Sequence, residues 1–403
     1  MVSEPRARGL ARGQTRGPLT AEKRTCYAAL AGEDASDAPE EAPMRRWPIG
    51  GALALVLCAL GCHHEVEMIP LADRTIYNTD RFYDVQALGP DRAFVVGYAG
   101  KIVETTDGGR TWTNRPSGSD VALYSVHFVD AQVGWISGQD GVILHTTDGG
   151  KTWSKQESNA SFEDKDAGKQ PLFLFSMDAL DHDHAWAVGD RSILTSTNDG
   201  GKTWTARHVK METDLSGGQS LAAADPIFYD VKFLDQKRGW IVGEFGKVMY
   251  TSDGGETWHE QEKTLLEGSN IFDLLDLPTL FGVHVVDEKN VVAVGLEGHI
   301  ARTADAGQRW TYDETELDYP LVDPLFRVVE FPDGTAWASG AAGEVIRRES
   351  RTAPWRRAKL GQDVLTWLRG MSFSDPQHGW MVGGYGLIYR TTDGGKTWLP
   401  SQG

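Results

Sequence analysis

The chain has 403 residues, with 40 Lys and Arg against 57 Asp and Glu, for a formal net charge of −17. Such an acid excess repels nucleic acid and anionic surfaces on average, which excludes nucleic acid as a partner class. The three cysteines, Cys26, Cys58 and Cys62, all lie near the N-terminus, so no disulfide can form within the rest of the chain.

Residues 1–43 mix Arg, Gly, Ala, Pro and Glu with almost no apolar periodicity, which predicts disorder, either as an extension or as the product of a misassigned start. Residues 44–61 read as a signal peptide. Met44-Arg-Arg-Trp47 is a charged head, and the apolar run from Pro48 is too short to span a bilayer comfortably as a mature helix. Ala59-Leu60-Gly61-Cys62 resembles the bacterial lipobox. That resemblance implies lipidation of Cys62 and an exported, lipid-anchored protein. His63, where an inner-membrane retention signal would have Asp, implies the outer membrane, on its periplasmic or surface side. An ordinary secretory signal or an uncleaved anchor is the plain alternative.

Residues 62–79 form a tether. Its Val66, Met68, Ile69, Leu71 and Ile76 could instead pair with the last part of the fold and tie the ends together.

From residue 80 to 403 one unit is written seven times. Its clearest copy ends in Thr391-Thr-Asp-Gly-Gly-Lys-Thr-Trp398. The Asp and Trp positions of the copies are Asp107 and Trp112, Asp148 and Trp153, Asp199 and Trp204, Asp253 and Trp258, Asp305 and Trp310, and Asp393 and Trp398, with a worn copy from Ser350 to Trp355. The motif suits a hairpin corner: the Asp accepts amides two residues on, the glycines take positive φ, and Thr and Trp begin the returning strand. Each Trp then offers apolar area to wedge between neighbouring sheets.

Four short apolar runs precede each corner or follow it, as in Leu123–Phe128, Gly134–Ser137, Val142–Thr146 and Thr152–Lys155, and these are strands. The first-strand markers Tyr83, Tyr124, Phe175, Tyr229, Phe281, Phe326 and Arg369 stand 11 residues before the second-strand markers Phe94, Trp135, Trp186, Trp240, Val292, Trp337 and Trp380. Three residues further lies an unvarying glycine, and each unit measures 29 residues from first marker to Trp. Only the link to the next unit varies, between 12 and 25 residues, so insertions gather on one face. The expected fold is all-β: a seven-bladed propeller of four-stranded antiparallel blades over residues 80–403.

The Thr-x-Asp-Gly-Gly-Lys-Thr-Trp copies, with the preceding Val-Gly-x-x-Gly-x-Ile, resemble the Asp-box repeats, also called bacterial neuraminidase repeats, of the photosystem II assembly and stability factor family. The resemblance covers residues 80–403. It implies a non-enzymatic propeller that binds a newly made membrane protein of photosynthesis during assembly. Two further readings stay open: an Asp-box glycoside hydrolase of the sialidase kind, and an envelope accessory of an exporter. Against the hydrolase, no Arg-Ile-Pro precedes the first box, and Arg369 is the one basic first-strand marker.

Binding is expected on the face of the variable links. Ser269 or Asn270 can cap a short helix bounded by Pro278, placing Ile271, Phe272, Leu274 and Leu275 on one stripe that serves either a partner or the propeller itself. Tyr98, Phe245, Leu296 and Tyr385 sit in second-to-third-strand turns on that face, near the axis. The basic run Arg347, Arg348, Arg351, Arg356, Arg357 and Lys359 could meet an acidic partner or could guard an outer strand against edge pairing. Asp181-His-Asp-His184 reads as a solvated turn. No cofactor or metal is expected, and the partner is a membrane-protein client or envelope complex met by a monomer.

Overall fold

The protein is described by a computed structural model, which describes residues 74–211, 225–267, 271 and 274–401. The expectations for the leader, for Cys62 and for Phe272 lie outside the described residues. Seven four-stranded antiparallel sheets form in chain order, each from consecutive strands. Their first strands, Phe82–Ala87, Leu123–Phe128, Leu174–Ala179, Phe228–Phe233, Leu280–Val285, Leu325–Glu330 and Leu368–Phe373, line the axis. The second strands are buried along their whole length, because both faces are covered by neighbouring blades.

The unvarying glycine after the second strand has a simple cause. A Cβ on Gly97 would lie 2.2 Å from the carbonyl oxygen of Arg81, and one on Gly383 2.0 Å from that of Trp367. The turn passes too close to the chain entering the first strand for any side chain.

The corner differs in one respect from its expectation. In blade 2 the Asp148 carboxylate accepts from the Thr152 amide at 3.0 Å and its hydroxyl at 2.6 Å, four residues on rather than two. The amide two residues on, that of Gly150, donates instead to the Thr146 hydroxyl at 2.9 Å. These bonds hold Asp148 down at about 2, chiefly through the Thr152 hydroxyl. Thr146 is buried. Thr146→Val keeps its shape but strands the Gly150 amide, with an expected cost of about 1–3 kcal/mol, measurable by urea unfolding, which Thr146→Ser does not incur.

Blade 6 lacks both Thr and Asp, yet its outer hairpin still pairs Ile346 with Arg357. Arg348 occupies the Thr position. It bonds the Glu330 carboxylate, meets Asp313 at 3.0 Å and stacks over Trp355 at 5.0 Å.

The corner tryptophans fill the seams as expected, each against the second-strand marker of the preceding blade. Trp153 meets Phe94 at 6.3 Å, Trp398 meets Trp337 at 5.8 Å and Trp112 meets Trp380 at 5.6 Å. The last pair closes the ring between blades 7 and 1, and among the described residues no strand is exchanged there. Ser401 donates to the Gly109 carbonyl at 2.7 Å, and Arg390 reaches Asp91 at 2.7 Å. Of the stretch considered for closure, residues 74–78 form no strand; Ile76 packs against this seam.

Corners and first-to-second-strand turns share one face, where the Gly149 amide donates to Gln132. The long links share the other with the second-to-third-strand turns, as in Gln139 to Ala122 and Ser192 to Pro226. One link carries an added hairpin, Ser161–Asp164 with Gly168–Pro171. In the link after Trp258 the described residues form a helix at Lys263–Leu266, upstream of the predicted stretch, and a single turn, Leu274–Asp276, before Pro278, while Ser269, Asn270 and Phe272 of that prediction lie outside the described residues.

Candidate functional site

The seven first-strand markers share a backbone irregularity. In every blade the pairing with the second strand skips the marker, as between Phe82 and Asp84 or Leu368 and Gly370. A bulged residue is re-aimed out of the pleat, and here all seven turn toward the axis at the link face.

Six of them are aromatic and run as a collar. Ring centroids lie 5.4 Å apart for Tyr83 and Tyr124, 5.3 Å for Tyr124 and Phe175, 5.6 Å for Phe175 and Tyr229, 4.9 Å for Tyr229 and Phe281, and 5.6 Å for Phe281 and Phe326. Blade 7 completes the circle with Arg369, whose guanidinium lies over Tyr83 at 5.4 Å and Tyr124 at 5.7 Å. Trp367 stacks flat on Tyr83 at 5.6 Å. Together with Arg81 these side chains, Tyr124 apart, enclose a mouth of about 390 Å³. Burial raises the Tyr124 and Tyr229 hydroxyls, the latter to about 12, so both are neutral donors at physiological pH.

Beneath the collar the axis is ionic. Arg327 meets Asp84 at 2.6 Å and Asp230 at 3.4 Å. Lys232 lies between Asp178 and Asp230, at 3.7 and 3.6 Å. His127, Asp178, Lys232 and His284 line a second cavity of about 220 Å³, and burial brings His284 down to about 4.

A glycosidase needs two carboxylates free to act on a bond. Here each carboxylate is occupied as a clasp on another blade. Asp84 accepts the Val126 amide at 3.1 Å, Asp230 the Val283 amide at 3.0 Å, and Asp178 the Phe233 amide at 2.7 Å. The arrangement holds blades around the axis.

The residues singled out from sequence scatter. Tyr98, Leu296 and Tyr385 stand exposed in their turns and Phe245 is half-buried, but none of the four lines the mouth; Tyr98 approaches it through Arg81, which lies over its ring at 5.7 Å. Ile271 and Leu274 pack against the core between blades 4 and 5, and Leu275 is half-buried.

The arginines of the basic run are each paired with a carboxylate, while Lys359 stands exposed. Arg348, only 2% exposed, is part of the core and offers a partner nothing. Arg347 pairs with Glu349 at 2.6 Å, Arg356 with Glu316 at 3.3 Å, and Arg357 with both Asp318 and Glu344, at 2.7 and 3.0 Å. Asp181 and His184 bond one another, on the corner face. Among the described residues no group of three or more side chains is placed to hold a metal ion.

Sequence reading passed over the collar. Its signal was present in the marker positions, which served as a ruler and, through Arg369 alone, as an argument against the hydrolase, without being assembled into a ring.

Compared with known proteins, the chain matches the family described as photosynthesis system II assembly factor YCF48 over residues 68–168, 218–278 and 347–402, more than half of its length. It is 25% identical over 262 residues to the photosystem II assembly lipoprotein Ycf48 of Picosynechococcus sp., covering 54% of this chain and 71% of that one. The solved structure of YCF48 bound to D1 peptide superimposes with a TM-score of 0.58 at 20% identity, over 78% of this chain and 92% of that one. The xyloglucanase of Xanthomonas campestris, a family 74 glycoside hydrolase, superimposes at 0.61 with 11% identity, over 81% and 55%. At these identities the likeness to solved structures is one of fold.

Proposed function

Because the chain belongs to the photosynthesis system II assembly factor YCF48 family, we propose that it is a non-enzymatic scaffold that holds an extended segment of a membrane-protein client at the axial mouth during assembly. One observation carries this: six aromatic rings and two guanidiniums face a single opening, on the face that carries every long link. Rigid aromatic anchors in a desolvated opening supply most of the energy in peptide recognition. The description of a relative as bound to D1 peptide supports a peptide as ligand.

The same reading holds the protein at the cell envelope as a monomer, through lipid on Cys62. The lipoprotein name of the Picosynechococcus relative supports it, as does Ala59-Leu60-Gly61-Cys62.

The test is capture from detergent-solubilised membranes of the source organism. The full chain is expected to retain a membrane protein that the double variant Tyr83→Ala, Phe281→Ala retains about tenfold less well or worse, a loss of two anchors. Equal recovery by the variant, or no protein recovered by either, defeats the reading.

A further inference from the structure

Resting on that scaffold reading, we propose that the mouth selects a peptide carboxylate adjoining an apolar or aromatic side chain, with Arg369 as its cation and the collar as the wall on which the neighbour stacks. Arg369 forms no ion pair among the described residues; its guanidinium lies over the faces of Tyr83 and Tyr124. The neighbouring arginine on the axis, Arg327, is already committed to Asp84 and Asp230. Arg81, also on the wall of the mouth, forms no ion pair among the described residues and rests over Tyr98. Two cations without carboxylate partners therefore open onto one cavity in a chain of net charge −17.

Aromatic faces hold a guanidinium without using its N–H groups, so its planar fork remains able to take a carboxylate through two parallel bonds. The mouth is also polarised. Asp140, Asp190 and Glu244, in turns of blades 2 to 4, are close enough to raise the hydroxyls of Tyr124 or Tyr229, while Arg369 opposes them. A carboxylate is repelled by that side and drawn to blade 7. The cavity of about 390 Å³ admits one or two side chains, so the ligand is a chain end or a short stretch of an extended segment and not a folded surface.

The carboxylate could belong to a chain end or to an Asp or Glu side chain, and four fluorescent peptides separate these. They are Gly-Ser-Ala-Leu-Phe with a free carboxylate, the same peptide amidated, and amidated versions extended by Asp or by Asn. In fluorescence anisotropy the free acid is expected to bind about tenfold or more tightly than its amide if chain ends are read, and the Asp peptide likewise over the Asn peptide if side chains are. Either preference supports the inference, provided Arg369→Gln abolishes it and Arg369→Lys keeps part of it. Equal binding of charged and neutral peptides, a preference that survives Arg369→Gln, or binding of none of the four overturns it. Should the glutamine variant fail to fold, the wild-type comparison and the lysine variant still decide. Membrane capture lost in the collar variant but indifferent to carboxylates would sink this inference and leave the scaffold standing.

Discussion

Trp380→Ala is expected to cost about 3–5 kcal/mol, the range for emptying a buried aromatic site. Its ring is wholly buried. It sits at the single seam where the last blade meets the first. Trp112 meets it edge-on at 5.6 Å, the Arg390 guanidinium covers it at 5.4 Å, and Gly109 lies against its far edge. Both blades at this seam are built from their own strands, so side chains supply the closure. A domain stable by about 5–15 kcal/mol cannot lose that much without opening readily. Urea unfolding followed by far-UV circular dichroism gives the loss, and near-UV spectra should show the coupling of the Trp112 and Trp380 rings gone. A loss below about 1 kcal/mol would mean that the ring closes by other means.

Arg327→Met is expected to cost a similar amount, about 3–5 kcal/mol at neutral pH, because it leaves the buried Asp84 and Asp230 without their shared cation. The pH dependence distinguishes this from a simple packing loss. Burial pushes the Asp230 carboxyl up, but Lys232 and Arg327 outweigh it, and the group lies below its ordinary 3.8. Its contribution in the native protein is therefore complete above that value and is lost as pH falls through the lower folded one. Without Arg327 the opposition to burial weakens and the folded value rises. The variant should then gain stability relative to the parent as pH falls from 7 toward 4. Adding Asp84→Asn to Arg327→Met should restore part of the loss at neutral pH. A variant whose deficit is the same at every pH would show that the axial charges act only by filling space.

Spacing along the chain was enough to read the blades, their number and the face of the links. Each unit has a constant length, and a constant length admits one repeated set of turns. The collar was less legible because alternation alone decides which way a strand residue points. The bulge at Tyr83, Arg369 and their five counterparts breaks alternation, and nothing in those residue types announces it. Arg348 looked like surface charge because its partners, Glu330 and Asp313, come from other strands and links. The helix Lys263–Leu266 after Trp258 went unread because it has no local capping signal like the one at Ser269. What fixes the helix is tertiary: Leu265 and Leu277 are buried in one cluster, and the Thr264 hydroxyl takes the Trp310 amide at 2.8 Å.

The plain rim of the ring has a practical consequence. Six of its seven corners repeat the same Thr and Asp clasp, and Lys151, Lys202 and Lys396 project from it into solvent. With Cys26, Cys58 and Cys62 replaced by Ser, a single thiol introduced there, as in Lys151→Cys, would let the molecule be mounted on a sensor chip in one orientation, its aromatic orifice turned outward to whatever flows past.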